Sequence, residues 1–314
     1  MRREPLPVAL PFALALAIGA VSTASIFIRL AQAGAPSITI AALRLGIATA
    51  CLAPIALSRH RRELRSLGRR ELALAFVAGG FLAIHFATWI TSLEYTTVAS
   101  SVVLVSTGPL WVGLISPLLL QERMTPATIW GLALALLGGI VIALGGACTL
   151  QTGLRCTPPN ATAGALSLWG NFLALAGAWA VSGYLVIGRR LRPRLSLIPY
   201  VFLVYGCAAC VLLSAAILSG APIMSLSAQT YLWIALLALV PQLVGHSTYN
   251  WALRYLPAAV VAVTTLGEPI GSAMLAFIIL NERPAAFVLA GAVLILAGIY
   301  LAARGAQAPA ADSA

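Results

Sequence analysis

Three groups of polar side chains recur at helical spacing inside otherwise apolar stretches of the sequence. Residues three and four positions apart lie on one face of a helix, so each group forms a polar stripe. Polar groups in apolar surroundings are costly and usually serve a purpose. The stripes predict a shared wet cavity that binds a small ligand; the alternative is hydrogen bonding that holds helices together. The members are Thr264, Thr265, Glu268 and Ser272; Gln242, His246, Tyr249 and Asn250; and His85, Thr88, Trp89 and Ser92.

Glu268 is the acid that could act chemically within these stripes. Pro269 follows it, and a proline inside a helix removes a backbone donor, which frees the carbonyl of Thr265. A carboxyl beside such a kink is a candidate for binding substrate or carrying a proton. The alternative is a neutral acid that hydrogen-bonds a neighbouring helix. The dipeptide Gly108-Pro109 repeats the proline earlier in the chain without the acid.

Other ionisable groups also fall inside apolar stretches. Arg44 could hold a substrate carboxylate or phosphate, or it could pair with Glu94 or Glu268, or snorkel to an interface. His85 and His246 could each titrate near neutral pH, or each could only hydrogen-bond a neighbouring helix. Two aromatic side chains share the faces of these histidines. The predicted substrate-binding set is therefore Glu268, His246, Tyr249, His85, Trp89 and Arg44.

The chain offers little for catalysis. Of its 8 acidic residues only Glu268 lies deep in an apolar stretch, so paired-carboxylate chemistry is not expected. No metal-ligand cluster, phosphate-binding glycine loop or Walker sequence is visible. We therefore expect no catalytic residue, no metal and no cofactor.

The elements that must position these residues are membrane helices. Of 314 residues, 61% are hydrophobic and only 9% charged, against about 25% charged in an ordinary soluble domain. Apolar runs of about 20 residues recur, the length that crosses a bilayer as helix. The stretch from Met1 to Ser25 resembles a signal peptide but is interpreted as a retained helix. The sequence predicts an all-α polytopic membrane protein with ten transmembrane helices, at about residues 8–28, 37–57, 72–92, 96–119, 127–146, 168–188, 196–218, 230–250, 258–279 and 285–303.

Arginine placement predicts the orientation. All 19 basic residues are arginine, and with the N-terminus inside, fifteen lie in inner segments and three in outer loops. The positive-inside rule then predicts a bacterial inner membrane protein with both termini cytoplasmic. The same placement explains the net charge of +11 without nucleic acid as a partner.

The cysteines fall in two kinds of surroundings. Cys148 and Cys156 lie in a predicted outer loop, where a disulfide is possible and expected. Cys207 and Cys210 have C-x-x-C spacing but lie in an apolar helix, where they are interpreted as packing residues.

The sequence matches itself when it is shifted by 160 in residue number. Tyr95, Pro109, Glu122, Arg123, Gly131 and Gly138 fall on Tyr255, Pro269, Glu282, Arg283, Gly291 and Gly298. Five helices is an odd number, so the second half enters the membrane in the opposite sense, as an inverted repeat. The predicted organisation is a first five-helix repeat at 1–150, an outer loop at 151–164, a second five-helix repeat at 165–304 and a disordered tail at 305–314.

The same residues resemble a known family. The stretch TTLGEPIGSAMLAFIILNERPAAFVLAGAVLILAGIYLAAR, residues 264–304, is similar to the second repeat of EamA-type transporters of the drug/metabolite transporter superfamily. Its first-half counterpart is VSTGPLWVGLISPLLLQERMTPATIWGLALALLGG. Ala42-Leu43-Arg44, and Trp179 followed by Arg189-Arg190, also resemble the family. The resemblance implies a ten-helix transporter fold and transport of amino acids, other metabolites, drugs or sugar phosphates.

The expected function is therefore secondary-active transport by alternating access. The expected partners are a small-molecule substrate, such as an amino acid or an amphipathic compound, and the lipid bilayer. Export is the expected direction, and protons are a candidate coupling ion. The alternatives are a membrane scaffold or receptor subunit, which would not need an inverted repeat, and a membrane-embedded enzyme.

Overall fold

The computed structural model describes residues 7–96, 101, 104–122, 124–149, 155–156, 164–280 and 286–307. Almost all of these residues are helical, because apolar segments in a membrane must satisfy their backbone hydrogen bonds internally. The α-helices are α1 Leu10–Ser22, α2 Ala24–Gln32, α3 Ser37–Arg59, α4 Arg61–Arg65, α5 Arg69–Tyr95, α6 Gly108–Leu119, α7 Pro126–Ala147, α8 Gly164–Leu191, α9 Leu197–Leu218, α10 Ala228–Leu237, α11 Ser247–Ala252, α12 Ala258–Thr265, α13 Glu268–Leu280 and α14 Ala286–Gln307. A π-helical segment, Ala238–His246, joins α10 to α11. Two short strands, β1 Cys148–Thr149 and β2 Arg155–Cys156, pair antiparallel.

Several of these helices have the length and composition of membrane spans. Six are long and apolar enough to cross a bilayer, and four shorter apolar helices accompany them. The chain is therefore a multi-pass membrane protein, while the count of ten crossings stays a prediction. The six are Leu10–Gln32, Ser37–Arg59, Arg69–Tyr95, Leu168–Leu191, Leu197–Leu218 and Ala228–Ala252; the four are Gly108–Leu119, Pro126–Gly138, Ala258–Ser272 and Val293–Ala302.

Two predicted helices are interrupted rather than kinked. The fourth turns at residues 106–107 before α6, and the ninth turns at 266–267 between α12 and α13. The disturbance expected at Pro269 is therefore present, and it takes the form of a short turn directly before the proline. Pro109 and Pro269 both lie in the first turn of a new helix, where the missing N–H needs no partner and the proline φ is already suitable. The two breaks occupy equivalent positions of the sequence repeat, in which Pro109 corresponds to Pro269.

The helices α7 and α14 meet at a close contact between glycines. A Cβ atom on Gly131 would lie 2.5 Å from the carbonyl oxygen of Gly298, and one on Gly138 would lie 2.6 Å from that of Gly291. Exchanging the two halves by the repeat offset turns the first pair into the second. The absence of side chains on these residues is what lets the backbones approach this closely.

The C-terminal helix is longer than predicted. The disordered tail was expected from residue 305, but α14 continues to Gln307. Gly305 is buried, and a Cβ there would meet the Thr125 and Thr128 side chains, so packing against the start of α7 holds this last turn. Residues 308–314 lie outside the described residues. So do three residues of the sequence repeat, Arg123, Glu282 and Arg283.

Candidate functional site

A cavity lies where the interrupted helices meet the polar stripes. It encloses about 70 Å³, room for several water molecules but less than the roughly 300 Å³ at which ligand pockets usually begin. Residues at or beside both helix breaks belong to its wall: Ser106, Gly108 and Pro109 at the first, Thr265 and Glu268 at the second. The lining residues are Val21, Ala24, His85, Trp89, Val105, Ser106, Gly108, Pro109, Val181, Leu185, His246, Tyr249, Ala262, Thr265 and Glu268.

The lining follows the repeat. Four pairs of lining residues correspond at the repeat offset: Val21 and Val181, Trp89 and Tyr249, Val105 and Thr265, Gly108 and Glu268. A wall made of equivalent residues from both halves is expected for a cavity on an axis that exchanges the halves. The last pair is equivalent in position but not in chemistry, because Glu268 carries a carboxyl and the corresponding Gly108 has no side chain.

Two serines join the helix breaks to their neighbours in the same way. The hydroxyl of Ser22 donates to the carbonyl oxygen of Glu268 at 3.2 Å, and that of Ser182 to the carbonyl of Gly108 at 3.0 Å. Each serine also bonds the carbonyl four positions before it, that of Ile18 or Ala178. The two donors correspond to each other in the sequence repeat, and so do the two acceptors.

The structure brings together five of the six predicted site residues. His85, Trp89, His246, Tyr249 and Glu268 all line the cavity. The rings of His85 and Trp89 stack at 5.8 Å, and His246 meets Tyr249 edge-on at 6.5 Å. Glu268 and His246 are only partly buried, so both expose side-chain surface to this space.

The polar atoms of these residues differ in availability. The Nδ1–H of His85 donates to the carbonyl oxygen of Gly177 at 2.9 Å, which fixes the ring against α8. By contrast, the buried Trp89 Nε1 and Tyr249 hydroxyl have no hydrogen-bond partner among the residues that the structure describes. Buried donors without a partner are unfavourable, so water or a ligand in the cavity is the natural acceptor.

Arg44, the sixth predicted residue, does not line the cavity. Its guanidinium is fully buried, donates through Nε to Oε1 of Gln242 at 2.9 Å and lies 4.0 Å from the ring centre of Phe86. That ring in turn contacts His246. In the described part of the chain, Arg44 makes no ion pair with Glu94 or Glu268. Glu94 accepts hydrogen bonds from Ser37 instead. Arg44 is thus a charge behind the cavity wall.

Of the other members of the stripes, Thr265 also lines the cavity, and several others bond elsewhere. Asn250 bonds the hydroxyls of Tyr184 and Tyr205 through its side-chain amide, and Ser272 donates to the carbonyl of Ser22. Thr88 and Ser92 donate within their own helix, and Ser92 also bonds Ser101. The contacts of Asn250 and Ser272 join separate helices, which was the alternative interpretation of the stripes.

Sequence reasoning missed a second buried arginine. Arg192 donates through Nε to the Asn250 carbonyl at 2.8 Å, also bonds the Leu195 carbonyl, and approaches the ring of Tyr200. Its place in the run Arg-Arg-Leu-Arg-Pro-Arg gave no sign of burial, because the run looks uniformly basic.

An ion pair between Arg189 and Glu122 joins four segments at the arginine-rich end of the molecule. Arg189 donates from Nε to Oε1 of Glu122 at 2.6 Å and from one terminal nitrogen to the carbonyls of Leu253 and Arg254. The other carboxylate oxygen of Glu122 accepts from the N–H of Ala258 at 3.4 Å. Glu122 therefore links the ends of α6 and α8 to the start of α12.

Comparison with known proteins assigns this architecture. Two stretches, residues 9–144 and 168–304, match the model of the EamA-like transporter family. The chain belongs to the EamA-like transporter family. A relative from Archaeoglobus fulgidus, described as an uncharacterized transporter, is 23% identical over 235 residues, which is 74% of this chain and 76% of the relative. A protein of known crystal structure superposes with a TM-score of 0.76 over 96% of this chain and 99% of its own, at 20% identity, which shows the fold alone. Family and spans together make the protein a membrane transporter.

Proposed function

We propose that the protein is a secondary transporter that moves a small metabolite or amphipathic compound by alternating access through the cavity around Glu268. The observation that carries this proposal is the cavity wall, which contains four pairs of equivalent residues from the two halves and residues beside both helix breaks. Interrupted helices at the interface of inverted repeats are where secondary transporters bind substrate. Two matched stretches, at 9–144 and 168–304, support the division into two repeats.

The paired serine contacts suggest how the halves exchange. Each interrupted helix is held at its break by one serine of the other half, Ser22 on Glu268 and Ser182 on Gly108. Neighbouring helices that share such contacts move as units. Rocking of one unit against the other would widen the cavity, as required for a substrate that needs a few hundred Å³.

The polar groups of the cavity define what it accepts. Glu268 offers a carboxyl, while Trp89 Nε1 and the Tyr249 hydroxyl are unpartnered donors within the described residues. Their aromatic rings provide apolar walls. This arrangement suits a compound with an apolar body and at least one polar group, such as an amino acid.

Orientation and direction complete the proposal. The arginine distribution favours both termini in the cytoplasm of a bacterial inner membrane, and export of the substrate is the direction to test first. Protons, borne by Glu268, are the proposed coupling ion, since the described chain contains no nucleotide-binding motif to draw on. A scaffold or receptor subunit would have no need of equivalent walls around a polar cavity.

The substitution Glu268→Gln tests the site. The amide keeps the shape of the carboxyl and can hydrogen-bond, so we expect a folded protein with transport reduced by tenfold or more, because removal of a charged hydrogen-bonding group costs about 1.5–3 kcal/mol. If the carboxyl carries a proton, wild-type transport depends on pH and the variant flattens that dependence. The measurement is uptake of a panel of labelled metabolites into proteoliposomes, with and without a pH gradient.

The matched control is Glu94→Gln, which makes the same chemical change outside the cavity lining. It should keep both the rate and the pH profile of the wild type. Wild-type rates with an unchanged pH profile in Glu268→Gln would reduce Glu268 to a structural residue and leave the aromatic and histidine positions as the site.

A further inference from the structure

A second, larger pocket opens at the arginine-rich end of the molecule. It has a volume of about 390 Å³ and is bordered by the start of α5, the end of α6 with the residues after it, and the end of α8 with the residues after it. No residue of this pocket lines the cavity around Glu268. Its wall contains four arginines and two glutamates, a formal net charge of +2: Arg70, Arg189, Arg190, Arg194, Glu71 and Glu122.

The charges of this pocket are not balanced internally. Glu122 is engaged by Arg189, and Glu71 accepts from the N–H of Gly68 at 3.1 Å. Across the described chain, the side chains of Arg70, Arg190 and Arg194 make no hydrogen bond or ion pair, and all three residues are exposed. Three guanidinium groups therefore remain free to bind an anion. Guanidinium matches the geometry of phosphate oxygens through paired N–H donors.

The backbone of the pocket wall is also unusual. Gln121 has φ +57°, the one positive φ at a non-glycine position among the described residues. A side chain in this left-handed region is unfavourable, and such strain is concentrated at ligand clamps and switch regions. The turn at Gln121 brings Leu120 and Glu122 into the same wall.

The pocket meets an apolar surface on its outer side. Leu118 is 81% exposed and Leu119 57% exposed, and both belong to the wall. Exposed leucines at the end of a membrane helix face acyl chains, so the pocket joins free guanidinium groups to a hydrocarbon-contacting surface. Free phosphate would use only the first of these features, whereas an anionic phospholipid would use both.

We propose that this pocket binds the headgroup of an anionic phospholipid, with the phosphate among Arg70, Arg190 and Arg194 and the acyl chains along Leu118 and Leu119. Basic pockets between membrane helices on the cytoplasmic side are suited to such lipids. Because the bound lipid would bridge α5, α6 and α8, it would stabilise the packing of these helices. The proposal does not depend on the identity of the transported substrate.

Thermal unfolding of the full chain in detergent tests the proposal. The probes are cardiolipin, phosphatidylcholine and inorganic phosphate, titrated separately. We expect cardiolipin to raise the melting temperature while phosphatidylcholine and phosphate leave it nearly unchanged. In the double variant Arg190→Gln/Arg194→Gln, the cardiolipin concentration for half-maximal protection should rise about tenfold or more, because each arginine near an anionic headgroup contributes about 1 kcal/mol.

The matched control is Arg61→Gln/Arg62→Gln, which removes two exposed arginines outside the pocket. It should respond to cardiolipin as the wild type does. If the pocket variant unfolds early, native mass spectrometry of cardiolipin adducts on its folded fraction gives the same comparison. Equal cardiolipin affinity in both variants would overturn the proposal, as would equal protection by phosphatidylcholine. Protection by inorganic phosphate alone would replace the lipid with a free anion and so refute the assignment.

Discussion

At the scale of single residues, Glu63 shows how one carboxylate connects distant parts of the chain. Its Oε1 accepts from the N–H of Ser196 at 2.7 Å, and its Oε2 meets His60 Nδ1 at 3.3 Å. Partial burial opposes the charge, but the bonds from Ser196 and His60 outweigh it and hold the pKa of Glu63 below its ordinary value of 4.5. The carboxylate thus fastens the short helix α4 to the start of α9.

This contact predicts a dependence of stability on pH. A folded-state pKa below the unfolded value means that the contribution is present above about pH 4.5 and is lost as the pH falls through the folded pKa. We expect Glu63→Gln to destabilise the protein by about 1 kcal/mol or less at pH 7, since the pair is partly solvent-exposed. The difference in melting temperature from the wild type should shrink on acidification below pH 4.5. A difference that stays constant from pH 7 to pH 3 would contradict this account.

The residue types in the sequence predicted a polar cavity better than they predicted which residues line it. His85, Trp89, His246, Tyr249 and Glu268 were recognisable because polar groups at helical spacing are rare in apolar sequence. Arg44 lies beside the same region, since its guanidinium contacts Phe86 and the ring of Phe86 contacts His246. Its position behind Phe86 depends on tertiary packing, which spacing along the chain does not encode.

At the scale of elements, one predicted stripe divides within a π-helical segment. Gln242 and His246 are four positions apart and would share a face of an α-helix. They lie in the segment Ala238–His246, where the bonding is i→i+5 and not i→i+4. In this segment Gln242 bonds Arg44, whereas His246 lines the cavity. Pro241 lies inside this segment, but a proline in the sequence is equally compatible with a simple kink.

The glycine contact between α7 and α14 gives a prediction at the same scale. In Gly131→Ala or Gly138→Ala the new methyl group would collide with a carbonyl oxygen, which forces the backbones apart. We expect each substitution to destabilise the protein by about 1–3 kcal/mol, measured as a lower melting temperature in detergent.

Gly80→Ala is the matched control, because nothing lies within 4 Å of its Cβ position. Alanine favours helix over glycine by up to about 1 kcal/mol, so this control should be neutral or slightly stabilising. A stabilised Gly131→Ala variant would show that the two helices do not pack this closely in the membrane.

At the scale of the whole molecule, the two strands contain the cysteines whose accessibility tests the orientation of the protein in the membrane. Their backbone register sets Cys148 opposite Cys156. Directly opposite residues in antiparallel strands have Cα atoms about 4.5–5.5 Å apart, within the range that a disulfide bridges. The register therefore supports the predicted disulfide, and the loop is predicted to lie on the periplasmic side.

Labelling with a membrane-impermeant thiol reagent tests both points. In intact cells with a permeabilised outer membrane, we expect labelling only after mild reduction and expect it to disappear in Cys148→Ser/Cys156→Ser. That variant keeps Cys51, Cys207 and Cys210, all of which lie within membrane-spanning helices, so it controls for other thiols. Labelling before reduction would exclude the disulfide, and labelling only from the cytoplasmic side would reverse the orientation.

The sequence repeat pointed to several equivalent local features of the two halves, while the inverted relation of the halves stays a prediction. Matching prolines and glycines at one offset led to equivalent helix breaks and to the exchanged glycine pairs. The equivalence fails where the halves differ chemically: Glu268 corresponds to Gly108, and the π-helical segment at 238–246 corresponds to regular helix in α5. Such differences depend on which neighbours pack on each helix, and a comparison of the halves alone does not contain that information.

The glycine contact also sets an order of events during synthesis. The partner of α7 is α14, and the ribosome makes α8 to α13 between the two. Until α14 emerges, the bare backbone around Gly131 and Gly138 has only lipid or other helices to contact. A nascent chain that stalls before Ala286 would therefore lack this contact, however well its first half has folded.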